Sequence, residues 1–174
     1  INNGIEIEKF LIDDTGDIRT ELNIPKDTLI IGNIARFYEQ KNHKFIVELA
    51  EEMVIKNINF IILLIGEGPL FNEIKEMIKC KNLEKNIRLL GVREDIPKLM
   101  NLFDIFLLPS FYEGLPVVLV EAQASGTPCV ISDTITKDVD FGLSMIYYCN
   151  LSKSKDEWID AIYKSSEPIS VSVD

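Results

Sequence analysis

Asp104-Ile105-Phe106-Leu107-Leu108-Pro109-Ser110-Phe111-Tyr112-Glu113-Gly114-Leu115-Pro116-Val117-Val118-Leu119-Val120-Glu121-Ala122 decides the fold. Its opening at 104–108 is an apolar run of strand length, followed by a loop. Val117-Val118-Leu119-Val120 is rich in β-branched residues and alone would read as a strand. Pro116, however, suits the first position of a helix, and Leu115, Val118, Leu119 and Ala122 recur at helical spacing. The stretch therefore predicts strand, loop and helix. Ala122, Ala124 and Ser125 allow close packing, Gly126 supplies a C-terminal cap, and Cys129-Val130-Ile131 begins the next strand. In an open α/β sheet such a loop sits at the carboxyl edge, where ligands bind. Two carboxylates, Glu113 and Glu121, frame it.

The same rhythm extends outward. Strands are predicted at 28–34, 59–65, 87–90 and 144–148, as well as at 104–108 and 129–131. Between them lie amphipathic helices: one after Asn42, its expected N-cap, with Phe45, Ile46, Leu49, Ala50, Met53 and Val54 on one face; one carrying Leu70, Ile74, Met77 and Ile78; and one starting near Asp95, with Pro97 in its first turn. A short helix at 18–22 ends at Asn23, and another spans 154–163. Strands recurring at roughly 25-residue intervals, each continuously apolar, predict an α/β fold: a Rossmann-like, doubly wound parallel sheet with helices on both faces. Residues 1–25 read as a linker and turn region packing on the domain, 26–167 as a Rossmann-like domain, and 168–174 as a tail.

Composition narrows the function. The chain has 174 residues, 18 basic and 28 acidic side chains, and a net charge of −10. A general nucleic-acid partner needs a basic face, so that class is set aside. The longest strongly apolar run, at 60–65, is far too short to span a bilayer. Cys80, Cys129 and Cys149 lack the paired spacing of a zinc site and read as free, mostly buried thiols in a reducing compartment. His43 is the only histidine and cannot build a metal site alone. The chain opens on Ile1-Asn2-Asn3-Gly4 and reads as a piece of a longer protein.

Glu113-Gly114-Leu115-Pro116 through Glu121-Ala122, then Ser125-Gly126-Thr127-Pro128, resembles the E-x7-E signature of the retaining, nucleotide-sugar-dependent glycosyltransferase family 4 (group 1), which has the GT-B fold. Four further stretches fall in that family's order: Arg36 and Lys41 with Asn42; 66–69; 90–95; and 104–110. The resemblance covers residues 2–163 and is to the C-terminal, donor-binding half of such enzymes. It implies catalytic roles for Arg36, Lys41 and Glu113. It also implies donor or nucleotide contacts from Glu121, Gly114, Leu115, Pro116, Val92, Arg93, Gly66 and Glu67. Ala35 departs from the family, which usually has glycine before the arginine.

The chemistry of the residues can be weighed beside the resemblance. Arg36 and Lys41, in the loop after the first strand and just before a helix, could seat a diphosphate, because helix N–H groups and dipole add to the two side-chain charges. Either cation alone would read as a solvated surface charge. A carboxylate on a helix facing the strand ends, as Glu121 would be, can hold the vicinal hydroxyls of a ribose. The plainer alternative is that Glu113 favours the helix dipole and Glu121 is solvated. Paired carboxylates also admit a hydrolase, which ranks lower because no sugar-binding aromatic platform stands beside them. Gly66-Glu67-Gly68 lacks the third glycine of a dinucleotide fingerprint, since Phe71 stands there. Val92 and Arg93 would hold the base through backbone groups, although Arg93 reads equally well as a surface residue near Glu94. His43 is expected in the first turn of its helix at the edge of the phosphate pocket, and Trp158, Tyr147 and Tyr148 as core or as packing against an absent half.

The expected function is therefore glycosyl transfer from a nucleoside-diphosphate sugar, UDP favoured over GDP or ADP, to a polysaccharide or glycolipid acceptor. No cofactor and no metal are expected. The other partner is an N-terminal acceptor domain, without which the fragment should turn over little. The expected location is the cytoplasm, with the inner face of the membrane as an alternative for the full-length protein. The competing reading is a nucleotide-binding or interaction module of the same fold without catalysis.

Overall fold

A computed structural model describes residues 7–11 and 16–166; the expected tail at 168–174 and part of the expected linker at 1–25 lie outside the described residues. Six strands, β1 Leu29–Ile34, β2 Phe60–Ile65, β3 Ile87–Gly91, β4 Ile105–Leu108, β5 Cys129–Ser132 and β6 Ile146–Cys149, form one parallel sheet in the order β3-β2-β1-β4-β5-β6. Helices α1 Gly16–Glu21, α2 His43–Ile55, α3 Phe71–Cys80, α4 Ile96–Leu102, α5 Val117–Ala124 and α6 Lys155–Ser166 pack on it. Short 3₁₀ turns at Ile7–Phe10, Glu39–Lys41 and Lys137–Val139 complete the described elements.

Alternation along each strand divides the core in two. Ile31, Ile62 and Leu107 point to a face covered by α2, α3 and α6. Ile30, Leu63 and Phe106 point to a face covered by α1, α4 and α5. A strand buried on both sides cannot spare a polar position, which is why β2 reads Phe-Ile-Ile-Leu-Leu-Ile and is buried throughout. The predicted doubly wound sheet is therefore the observed one. Because β1 lies between β2 and β4, the connections run in opposite directions from it. The loops after β1 and β4 leave the sheet at this switch point, the place where such sheets bind ligands.

The segment read against its propensity is helical. Leu119 and Ala122 are fully buried, so packing outweighs the β-branched preference of its neighbours. Pro116 sits one residue earlier than predicted, at the N-cap rather than inside the helix. At the other end Gly126 takes φ 73°, its N–H bonds Gln123 O at 3.1 Å, and Thr127 N–H bonds Ala122 O at 2.9 Å. This pair of bonds is a Schellman cap, and the positive φ explains the glycine.

Trp158 belongs to the core: it is fully buried, meets Phe45 edge-on at 4.8 Å and donates from its indole to Asn150 O at 3.0 Å. Tyr147 and Tyr148 are half-buried and pack against opposite core layers. All three cysteines are free, but the expectation of burial fails for Cys80, which is exposed at the end of α3. Cys129 is buried, and that burial pushes its thiol far above the ordinary range.

Candidate functional site

The loops that leave β1 and β4 are stitched together. Asn42 donates from its side-chain amide to Pro109 O at 3.1 Å, Phe111 N–H donates to Gln40 O at 2.9 Å, and Gln40 Nε2 donates to Tyr112 O at 2.8 Å. Asn42 occupies the N-cap position of α2 but makes no side-chain cap, contrary to expectation. Its backbone is left-handed, φ 55° and ψ 44°, a conformation asparagine tolerates, and this turns the amide toward the β4 loop instead.

This stitching brings Lys41 and Glu113 into direct contact. Lys41 Nζ lies 2.5 Å from Glu113 Oε1, and the Ser110 hydroxyl donates to the same oxygen at 2.7 Å. The Glu113 side chain is only 6% exposed and that of Lys41 21%. A carboxylate buried to that degree stays charged only with a partner, and here the partner is a cation from the facing loop. Both contacts fall on Oε1, so the other oxygen keeps its capacity to accept a hydroxyl. The exposed Gly114 and Leu115 follow, then buried Pro116.

Glu121 lies in α5, half-buried, and its burial raises the carboxyl above its ordinary value. Arg36 is exposed; its guanidinium stands 4.9 Å over the Tyr38 ring and donates to the Tyr38 hydroxyl at 3.2 Å. It lines a cleft of about 590 Å³ together with Gly66, Glu67, Gly68, Pro69, Phe71, Gly91 and Val92. Four of the predicted residues, Arg36, Gly66, Glu67 and Val92, are thus gathered in one cleft. Lys41 and Glu113 form a second cluster, and the β1 loop carries both cations.

The Arg93 side chain is not the solvated surface group of one sequence reading, and its backbone remains free for the other. Its guanidinium donates to both oxygens of Asp95, at 2.8 and 2.7 Å, and to Glu21 at 3.1 Å. The side chain therefore ties the β3–α4 loop to α1, is not a solvated neighbour of Glu94, and leaves only its backbone for a ligand. That engagement also explains why Asp95, at the N-cap of α4, makes no side-chain cap, and it holds the Asp95 carboxyl below its ordinary value.

The loops after β1 and β2 are zipped by Ala35 N–H to Ile65 O at 3.0 Å, Phe37 N–H to Glu67 O at 2.9 Å and Leu70 N–H to Phe37 O at 3.0 Å. Gly66 has φ 134°, and a Cβ there would stand 2.2 Å from Ala35 O. The glycine is required by close backbone approach. Gly66→Ala is expected to cost about 1–3 kcal/mol of stability, read by urea denaturation.

His43 opens α2, as expected, but is packed inside the loop rather than at a pocket edge. It is 2% exposed, stacks on Phe37 with ring centroids 4.0 Å apart, and neither ring nitrogen has a hydrogen-bond partner. Burial first, and the Lys41 charge second, lower its pKa to about 4. Ser110, Phe37, Tyr38 and Gln40 were not singled out from the sequence. Their roles come from contacts across loops, which no spacing along the chain reveals.

Comparison with known proteins fits this arrangement. The family described as "Glycosyl transferases group 1" matches residues 14–137. EpsF of Bacillus subtilis (strain 168), which bears the name of a glycosyltransferase, is 45% identical over 166 residues, covering 94% of this chain and 43% of that protein. The UDP-Gal:alpha-D-GlcNAc-diphosphoundecaprenol alpha-1,3-galactosyltransferase of Escherichia coli is 33% identical over 138 residues, covering 76% of this chain and 36% of its own. The crystal structure of Anabaena Alr3699/HepE in complex with UDP and glucose shares the fold with a TM-score of 0.80 at 22% identity, over 95% of this chain and 46% of that one. The chain spans less than half the length of these relatives, as expected for one half of a GT-B protein. With the family matched over most of its length and the fold shared, the chain belongs to the glycosyl transferases group 1.

Proposed function

We propose that the chain is the donor-binding half of a retaining, family 4 glycosyltransferase that uses a UDP-sugar. The observation that carries this reading is the meeting of Lys41 and Glu113 at the switch point of the sheet, beside a cleft lined by Arg36. The names of relatives support the choice of donor: the E. coli relative is named for UDP-Gal, and HepE has been solved with UDP-glucose.

In this reading the uridine lies in the cleft of Gly66, Glu67 and Val92, with backbone of Val92 and Arg93 at the base and Glu121 on the ribose. The diphosphate faces Arg36 and Lys41. Glu113 takes sugar hydroxyls, the backbone of Gly114 and Leu115 approaches the sugar or phosphate, and Pro116 starts the helix that carries Glu121. When the bond from the anomeric carbon to the diphosphate oxygen breaks, its electron pair stays on the diphosphate, where the two cations offset the growing charge. No metal is invoked, because those cations fill the place a divalent ion would take. Glu113 is a binding group rather than an acid in this reading, with Oε1 taken by Lys41 and Ser110 and its other oxygen left for a hydroxyl. The acceptor, a polysaccharide or glycolipid, would be bound by the remainder of the protein, at the cytoplasmic face of the membrane.

Calorimetric titration of the folded chain tests the reading. UDP is expected to bind, more tightly than GDP or ADP, and Arg36→Ala with Lys41→Ala to weaken it by at least about tenfold. No heat of binding at millimolar UDP on a sample folded by circular dichroism would overturn the donor-site assignment.

A further inference from the structure

We propose that Ser110, anchored through its carbonyl by Ser132 and Thr134, is a positioning residue that aims Glu113 and, through it, Lys41. The inference rests on the donor-site reading above.

Glu113 sits on a loop whose neighbours Phe111, Tyr112, Gly114 and Leu115 are exposed, yet its own carboxylate is almost buried. Something other than regular secondary structure must hold it there. Ser110 is wholly buried just past the end of β4. Its carbonyl accepts from the Ser132 hydroxyl, at the last residue of β5, and from Thr134 Oγ1 at 3.1 Å. Ser110 is therefore fixed to the neighbouring strand of the sheet, and its one hydroxyl proton goes to Glu113 Oε1. A rigid strand end thus orients a carboxylate that belongs to a loop.

The consequence is a division of labour. With Oε1 shared between Ser110 and Lys41, the carboxylate cannot close both oxygens around the ammonium. The other oxygen stays available for a sugar hydroxyl, and Lys41 keeps donors for phosphate. Without the Ser110 hydroxyl, the carboxylate is free to rotate onto the ammonium. Sugar recognition should then suffer more than recognition of the diphosphate alone.

The experiment has two arms on the folded chain. In the first, no ligand is present: the Lys41 ammonium group is observed by NMR in the native chain, Ser110→Ala, Ser110→Thr and Ser132→Ala. A shifted or broadened signal is expected in Ser110→Ala and Ser132→Ala, and a native-like one in Ser110→Thr, which keeps the hydroxyl. In the second, UDP is titrated beside whichever of UDP-glucose, UDP-galactose and UDP-N-acetylglucosamine the native chain binds most tightly. Ser110→Ala should weaken the sugar nucleotide about tenfold while changing UDP less than about twofold. An unchanged Lys41 signal in Ser110→Ala, or equal weakening of both ligands, overturns the proposal. If UDP fails to bind the native chain, the donor-site reading falls while the ammonium arm still decides whether Ser110 positions the pair. If Ser110→Ala does not fold, Ser132→Ala takes its place, and an unchanged Lys41 signal there overturns the proposal.

Discussion

Lys41→Ala is expected to lower kcat/KM for sugar transfer by the full-length protein about 10²–10³-fold, a loss of the size found when one preorganised charge-stabilising donor is removed. Two effects are combined in that variant and can be separated. The first is loss of a cation from the side of the diphosphate, which acts on transfer. The second is that Glu113, with a side chain only 6% exposed, is left without its cation. Breaking one side of a buried ion pair costs about 3–5 kcal/mol of stability, so the midpoint of urea denaturation should fall as well. Removing both charges, in Lys41→Met with Glu113→Gln, should recover most of the stability because no buried charge is then unpaired. Transfer should stay low in that double variant. Recovery of transfer together with stability would show that Lys41 only supports the loop, and the diphosphate role would be lost.

The features legible in the sequence were those set by local pattern and burial. Continuous apolar runs such as that of β2 follow from burial on both faces, and Gly126 follows from the positive φ of a helix cap. The region at 117–124 was legible only because helical spacing outweighed propensity, and the burial of Leu119 and Ala122 is the physical reason. The site was legible as a set of residues but not as a set of contacts. Arg36 and Lys41 share one loop, yet Arg36 stands over Tyr38 at the cleft while Lys41 turns to Glu113, 72 residues further along the chain. Asn42 and Asp95 were both in place for side-chain caps and make none: the Asn42 amide is turned to Pro109 O through its nitrogen, and both Asp95 oxygens accept from Arg93. Cap rules fail at Asn42 because its partner lies 67 residues along the chain, and at Asp95 because a cation two residues earlier claims both oxygens.

The second large effect is a loss of stability in mild acid that His43 alone should cause. Its two ring nitrogens are buried without partners, the ring lies flat on Phe37 at an interplanar angle of 9°, and Lys41 adds a like charge nearby. Burial without partners first, and the Lys41 charge second, disfavour the imidazolium, and the folded-state pKa falls from 6.5 to about 4. Between those two values the unfolded chain binds the proton and the folded chain does not. Stability must therefore rise with pH across that window. The contribution is fully present above about pH 6.5 and is lost progressively as the pH falls toward 4, for a total of about 3 kcal/mol. His43→Phe keeps a flat ring on Phe37 and removes both the proton site and the unpaired nitrogens. It should be at least as stable as the native chain at pH 7 and should flatten the decline between pH 6.5 and 4.5 by that amount. Because His43 is the only histidine, its ring signals can be followed by NMR without ambiguity. Titration of the folded ring near pH 6.5, or parallel urea midpoints for the native chain and His43→Phe across the window, would remove burial of a neutral imidazole as the cause.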